Sequence, residues 1–127
     1  MILKTGIDVI EVERIKENIE KHGKTFLNRV FTEKEIQYCE NRNVQKFQSY
    51  AGRFAAKEAI FKAVSAFLDN KFDLEWKDIE VLNDDNGRPF VNLSDELCGK
   101  LNYNIDISIS HIKEIAVASV VMQIETN

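Results

Sequence analysis

Glu58 and Lys62 lie one helical turn apart in the stretch GRFAAKEAIFKA, residues 52–63. On a helix of 3.6 residues per turn, Glu58 shares a stripe with Phe54 and Phe61, and Lys62 lies beside it. Small side chains flank the pair, at Ala51, Ala55, Ala59 and Ala66. One interpretation is an ordinary i,i+4 ion pair, which stabilises a helix by roughly 0.2–0.5 kcal/mol. The other is a reactive site, because a charge near an apolar face needs a partner or a metal ion.

Asp8 is the second carboxylate whose position could serve chemistry. It ends the apparent first strand, MILKTGID, and a predicted helix follows directly. With Glu11 it forms the pattern D-x-x-E, so it could simply cap that helix. Alternatively, Asp8 and Glu58 together could bind Mg²⁺, which usually takes one or two carboxylates plus water and substrate phosphates.

His111 and Arg53 are further candidates. His111 follows the stretch ISIS at the end of a predicted strand, where it could either shape the turn or, with Lys113 beside it, hold a phosphate. His22 ends a basic helix and reads as a surface residue. Arg53 projects away from Glu58 on the same helix, so one chain cannot bring both into one pocket by simple helix geometry. A pocket shared between subunits could use both.

The elements that must position these residues fall into two groups. Helices come mostly first: residues 9–23 with Gly23 as a stop, a short turn in TFLNRVF, a helix capped by Thr32 and Glu35, and a longer helix from about Gln45 to Leu68. Strands come mostly last: WKDIEVL and RPFVNL around the Asn86-Gly87 hairpin turn, a short helix capped by Ser94, the alternating strand NIDISIS, and IAVASVVMQI. This segregation predicts an α+β fold with a largely antiparallel sheet.

The composition predicts one domain, residues 1–127, and excludes some classes of partner. The net charge of −4 argues against nucleic acid as the main partner, although a basic cluster lies in the first quarter of the chain. IAVASVVM is too short to span a bilayer, and the N-terminus lacks the pattern of a secretory signal. Cys39 and Cys98 have no metal-ligand spacing and are expected to be reduced thiols. We therefore expect a cytoplasmic protein.

Five stretches together resemble a known family. GIDVIEVERI, FTEKE, AGRFAAKEAIFKA, DIEVLNDDNGRPF and ISISHIKEIAVASVV resemble, in order and spacing, the holo-[acyl-carrier-protein] synthases, which are small bacterial 4'-phosphopantetheinyl transferases. The resemblance covers nearly the whole chain. It implies the 4'-phosphopantetheinyl transferase fold and a Mg²⁺-dependent reaction of fatty acid biosynthesis. In that reaction a serine hydroxyl of apo-acyl carrier protein attacks the β-phosphate of coenzyme A, and 3',5'-ADP leaves.

The same resemblance implies residue roles. Asp8 and Glu58 match the Mg²⁺ ligands, and Lys62 matches the lysine that meets the pyrophosphate. His111 matches the histidine near the 3'-phosphate of coenzyme A, while Arg53 and Arg88 match its nucleotide surroundings. The family is typically homotrimeric, with active sites between adjacent subunits. Its members meet the acidic carrier protein with the basic first helix, which implies docking by Arg14, Lys21, Lys24 and Phe26.

Two points stay open after the resemblance. Many members have threonine after the histidine, whereas this chain has Ile112, which puts a side-chain contact there in doubt but not the turn itself. The base for the serine could be a Mg²⁺-bound water or Glu58 acting through it, with Glu33 and Glu35 as weaker candidates.

Two other functions also compete with the enzyme. One is a non-catalytic module that binds coenzyme A or a carrier protein, and the other is a structural protein whose charges are caps and surface pairs.

Overall fold

The computed structural model describes residues 1–65, 75–99 and 101–125. The elements in these ranges are β1 (Ile2–Glu11), α1 (Val12–His22), α2 (Lys24–Val30), α3 (Glu33–Glu40), α4 (Lys46–Val64), β2 (Ile79–Asn83), β3 (Pro89–Leu93), α5 (Asp95–Cys98), β4 (Tyr103–His111) and β5 (Ile115–Ile124). Short 3-10 turns precede α4 and β2, at Asn43–Gln45 and Trp76–Asp78. The predicted end of the long helix at Leu68 lies outside the described residues.

All the strand pairs described are antiparallel, which confirms the predicted α+β class. β5 lies between β1 and β4 in a three-stranded sheet, and β2 pairs with β3 in a separate hairpin. One face of the larger sheet packs on α4, which contributes Ala59, Ile60 and Val64 to a core that also holds Val120 and Met122. None of the helices in the described part of the chain has an apolar run long enough to cross a lipid bilayer.

β1 is longer than predicted, and Asp8 does not cap a helix. The strand pairs with β5 over its full length, with Asp8 opposite Ala118, and α1 begins only at Val12. Alternate residues of β1 are exposed and partly buried, which places Asp8 on the same side as Gly6 and Ile10, facing α4. Pairing with a distant strand therefore outweighs the local D-x-x-E signal.

Several local signals are confirmed. Thr32 and Glu35 form the reciprocal capping box at the start of α3, and the hydroxyl of Ser94 accepts from the backbone N–H of Leu97. Gly87 has a positive φ of 81° in the β2–β3 turn, a conformation that favours glycine. The stretch from Trp76 to Asp78 is a 3-10 turn, so β2 begins later than predicted.

A fully buried ion pair joins α4 to α3 and β2. The ammonium of Lys57 lies 2.6 Å from the Glu35 carboxylate and donates to the carbonyl of Val30 at 2.7 Å. Glu35 in turn accepts from the backbone N–H of Val81 at 2.8 Å. Burial lowers the pKa of Lys57, and the adjacent Glu35 carboxylate offsets part of that effect. Because both side chains are fully enclosed, the pair fixes the hairpin and the α2–α3 corner against α4.

Candidate active site

The site begins where β1 lies against α4. The ammonium of Lys62 donates to the Ile7 carbonyl at 2.9 Å and to the Asp8 carboxylate at 3.2 Å. The Lys62 side chain is about half exposed, at 53%, whereas that of Asp8 is 19% exposed. Lys62 therefore forms its ion pair with Asp8 on the neighbouring strand. The simplest i,i+4 interpretation had made Glu58 its partner.

Glu58 completes a pair of carboxylates beside this lysine. It is partly buried, one residue before the contact of Ala59 with β1. Burial raises the pKa of Glu58, the charge of Asp8 raises it further, and Lys62 acts in the opposite direction. Two like charges repel one another, and the pKa of Glu58 is raised by Asp8 in this sense. A divalent cation would neutralise that repulsion.

The carboxylates of Asp8 and Glu58 fit the way in which proteins usually bind Mg²⁺. In the described parts of the chain, no three side chains of His, Cys, Asp or Glu converge into a complete metal cage. Two partly exposed carboxylates are nevertheless what Mg²⁺ commonly uses when substrate phosphates and waters supply its other ligands. Asp8 and Glu58 are thus the residues that would hold the ion.

Arg53 and His111 both line a second place, a cleft of about 150 Å³ between α3, α4, the β2–β3 hairpin and the end of β4. Arg53 is only 5% exposed, donates to Ser49 at 3.2 Å and to Asn83, and lies 4.0 Å from the centre of the Tyr38 ring. Its Nε is buried with no hydrogen-bond partner. A buried cation with an unused donor in a polar cleft suits an anionic ligand.

The residues around this cleft match the predictions from the sequence only in part. His111 is exposed at the end of β4, and the N–H of Ile112 donates to the Ile115 carbonyl at 2.9 Å, so the turn forms without the threonine. Arg88 is exposed on the hairpin, while its neighbours Gly87 and Pro89 line the cleft. Tyr38 and Asn83 were not anticipated, because no local pattern links residues so far apart in sequence to Arg53.

The basic surface is formed by α1 and the start of α2. Arg14, Lys21 and Lys24 are exposed there. Phe26 differs from the prediction: it is 5% exposed and packs edge-on against Phe31, with ring centres 6.2 Å apart. Phe26 therefore holds α2 in place and does not offer its own ring to a partner.

The structure also places the two carboxylates of α3 that were candidate bases, Glu33 and Glu35. Glu35, a candidate base, is enclosed with Lys57 and bound by two backbone N–H groups, those of Thr32 and Val81. It cannot reach a substrate, so this weaker candidate for the base is excluded. Glu33 is exposed, and it lines a groove with Lys24 and Lys77 that contains neither Asp8 nor His111.

Comparison with known proteins places this geometry in a family. Residues 4–120 match the model of the 4'-phosphopantetheinyl transferase superfamily. A holo-[acyl-carrier-protein] synthase from Clostridium tetani is 48% identical over 122 residues, covering 93% of each chain. The chain belongs to the holo-[acyl-carrier-protein] synthase family. A synthase from Protochlamydia amoebophila is 46% identical over 119 residues, covering 93% of this chain and 95% of the relative.

Solved structures of the synthase family share the fold. The Chronobacterium ammoniagenes ACPS–CoA complex superposes with a TM-score of 0.85 at 27% identity, covering 99% of this chain and all of that one. The Helicobacter pylori holo-[acyl-carrier-protein] synthase in complex with coenzyme A gives a TM-score of 0.81 at 30% identity, covering 94% and 99%. The resemblance seen in the sequence motifs is thus confirmed, and the chain is a phosphopantetheinyl transferase by family.

Proposed function

We propose that this protein transfers the 4'-phosphopantetheine arm of coenzyme A to a serine of apo-acyl carrier protein in a Mg²⁺-dependent reaction. The serine oxygen forms a bond to the β-phosphorus, the pyrophosphate bond breaks, and 3',5'-ADP leaves with the bridging oxygen. The observation that carries the proposal is the convergence of Lys62 and Asp8 beside Glu58, from elements far apart in sequence. The CoA complexes of two structural neighbours support the substrate.

Each residue of the first cluster has a role suited to its environment. Asp8 and Glu58 would hold Mg²⁺, which when bound neutralises charge on the phosphate oxygens. Lys62 is half exposed and rests on Asp8, so its ammonium can turn to the pyrophosphate and stabilise the charge that develops on the leaving oxygen. With Glu35 enclosed and Glu33 on a separate groove, Glu58 is the acceptor we assign for the serine proton, through a water.

The cleft around Arg53 binds the nucleotide end in this proposal. His111 and Arg88 are exposed and supply positive charge or donors to the 3'-phosphate and its surroundings. The guanidinium of Arg53 is already engaged with Asn83 and Tyr38, so it fixes the wall of the cleft and offers the buried Nε.

We infer a homotrimer, because it would bring together two partial sites that lie at different places along one chain. The sheet face that does not pack on α4 carries exposed apolar side chains, including Leu3, Ile7, Val9 and Val121, at 59%, 64%, 63% and 44% exposure. The same face lines a hollow of about 720 Å³ that Lys62 borders. Exposed apolar side chains of this kind suit an interface, and a neighbouring subunit there would lie beside Lys62, which borders the hollow.

The basic surface of α1 and α2 fits the acidic carrier protein. Arg14, Lys21 and Lys24 are exposed and free to steer a negatively charged partner toward the site. This function belongs in the cytoplasm, within fatty acid biosynthesis, where apo-carrier protein and coenzyme A are both available.

The proposal is tested by the intact mass of an apo-acyl carrier protein after incubation with the protein and coenzyme A. We expect the gain of one phosphopantetheine arm with Mg²⁺ and none after chelation. Glu58→Gln serves as the matched control, since it keeps the shape of the side chain but removes the charge. No gain from folded wild type with several carriers would overturn the transfer reaction and favour a module that only binds coenzyme A.

A further inference from the structure

Gly6 is the point of closest approach between β1 and α4. A Cβ built on it would lie 1.9 Å from the backbone oxygen of Ala59 and 3.0 Å from a methyl group of Val120. Gly6 is not among the glycines with positive φ, which are Gly23 and Gly87. The position therefore requires glycine for lack of space and not for backbone conformation.

The contact lies within the metal site. On β1, Gly6 is followed by Ile7 and Asp8, the two residues that Lys62 contacts. On α4, Ala59 directly follows Glu58. The obstacle to a side chain is a helix carbonyl, which cannot rotate away as a side chain can. Any Cβ at residue 6 must therefore move the strand from the helix by about 1 Å, a displacement large enough to impair a reactive geometry.

We propose that Gly6 is a positioning residue for the divalent cation, because its missing side chain sets the distance between Asp8 on β1 and Glu58 on α4. The inference rests on the proposed function, which supplies the two carboxylates as ligands. A purely structural role would lower stability without changing the affinity of the folded protein for a metal ion.

Mn²⁺ binding tests this directly, measured by the electron paramagnetic resonance signal of the free ion in the presence of saturating coenzyme A. We expect Gly6→Ala to weaken Mn²⁺ binding roughly tenfold or more, the size seen when supports of metal ligands are removed. Gly99→Ala is the matched control, since its Cβ would likewise meet a backbone oxygen, that of Asp95 at 2.5 Å, but at the end of α5, which carries neither carboxylate of the metal site. Val81→Ala, in the other sheet, controls for lost stability.

A second condition keeps the test decisive if Gly6→Ala does not fold in buffer. The osmolyte trimethylamine N-oxide favours the compact state of wild type and variant alike, so both are then compared in its presence. Mn²⁺ affinity of folded Gly6→Ala within twofold of wild type, in either condition, overturns the role of Gly6. Wild type that binds no Mn²⁺ instead overturns the metal site of the proposed function, and the inference with it.

Discussion

The ammonium of Lys62 lies 3.2 Å from the Asp8 carboxylate, although 54 residues separate them in sequence. The same ammonium holds the Ile7 carbonyl of the strand at 2.9 Å. Lys62 thus joins α4 to β1 at the residue that would bind the metal ion, and it offsets part of the repulsion between Asp8 and Glu58. A residue with these contacts affects both the arrangement of the carboxylates and the charge available to a phosphate.

We predict that Lys62→Met lowers kcat by roughly 10²–10³-fold while the protein stays folded, because one positioned charge at a developing oxyanion contributes that much. The side chain is half exposed, so its loss does not open the core. Steady-state kinetics with coenzyme A varied, alongside circular dichroism, measure both effects. Lys62→Arg is the control that keeps the charge and should recover part of the rate. Turnover of Lys62→Met within a few-fold of wild type would contradict the assignment.

Lys24→Glu should raise the apparent KM for apo-acyl carrier protein more than the KM for coenzyme A. Lys24 is exposed on the basic surface and does not line the nucleotide cleft, so reversing its charge acts mainly on the acidic carrier protein. Lys24→Gln should give a smaller effect of the same kind. Both effects should shrink as salt is raised, because exposed charges are screened. Equal changes in the two KM values would show that Lys24 has no specific part in docking.

Local signals predicted much of the fold and less of the site. The cap formed by Thr32 and Glu35, the turn at Gly87 and the alternation through Ile107 each depend on a few adjacent residues, and all are observed. The continuation of β1 beyond Asp8 to Glu11 depends on pairing with β5, more than 100 residues later, and no short pattern encodes it.

The site residues show the same limit. The i,i+4 rule assigns Lys62 to Glu58, but the tertiary structure supplies a different carboxylate, Asp8. Glu35 was a candidate base on sequence grounds because nothing in its surroundings reveals that Lys57, on another helix, encloses it. The partners of Arg53, Tyr38 and Asn83, are likewise brought to it only by the packing of α3 and β2 on α4.

Because Lys57 and Glu35 form a buried ion pair, we predict that substitutions at the two positions are strongly coupled in their effects on the free energy of unfolding. Lys57→Met leaves the buried Glu35 carboxylate without its counter-charge, and breaking such a pair costs about 3–5 kcal/mol. Adding Glu35→Gln removes the stranded charge and keeps one oxygen, which can accept from the N–H of Val81 or from that of Thr32 but not from both. We therefore expect the double variant to be more stable than Lys57→Met in urea denaturation. If the double variant loses the sum of the two single changes, the pair is not coupled.

We expect the buried thiol of Cys39 to lower the free energy of unfolding at alkaline pH. Burial raises the pKa of its thiol from 9.0 to about 11, so the folded protein keeps a proton that the unfolded chain releases above pH 9. Stability from this group is complete below pH 9 and is lost as the pH rises toward 11. Between pH 8 and pH 10 the loss is about 1 kcal/mol, at roughly 1.36 kcal/mol per pKa unit. Cys39→Ser keeps a hydroxyl near Ser49 but does not titrate there, so its free energy of unfolding should fall less over that range. Parallel curves for the two proteins would show that the thiol ionises as readily when folded as when unfolded.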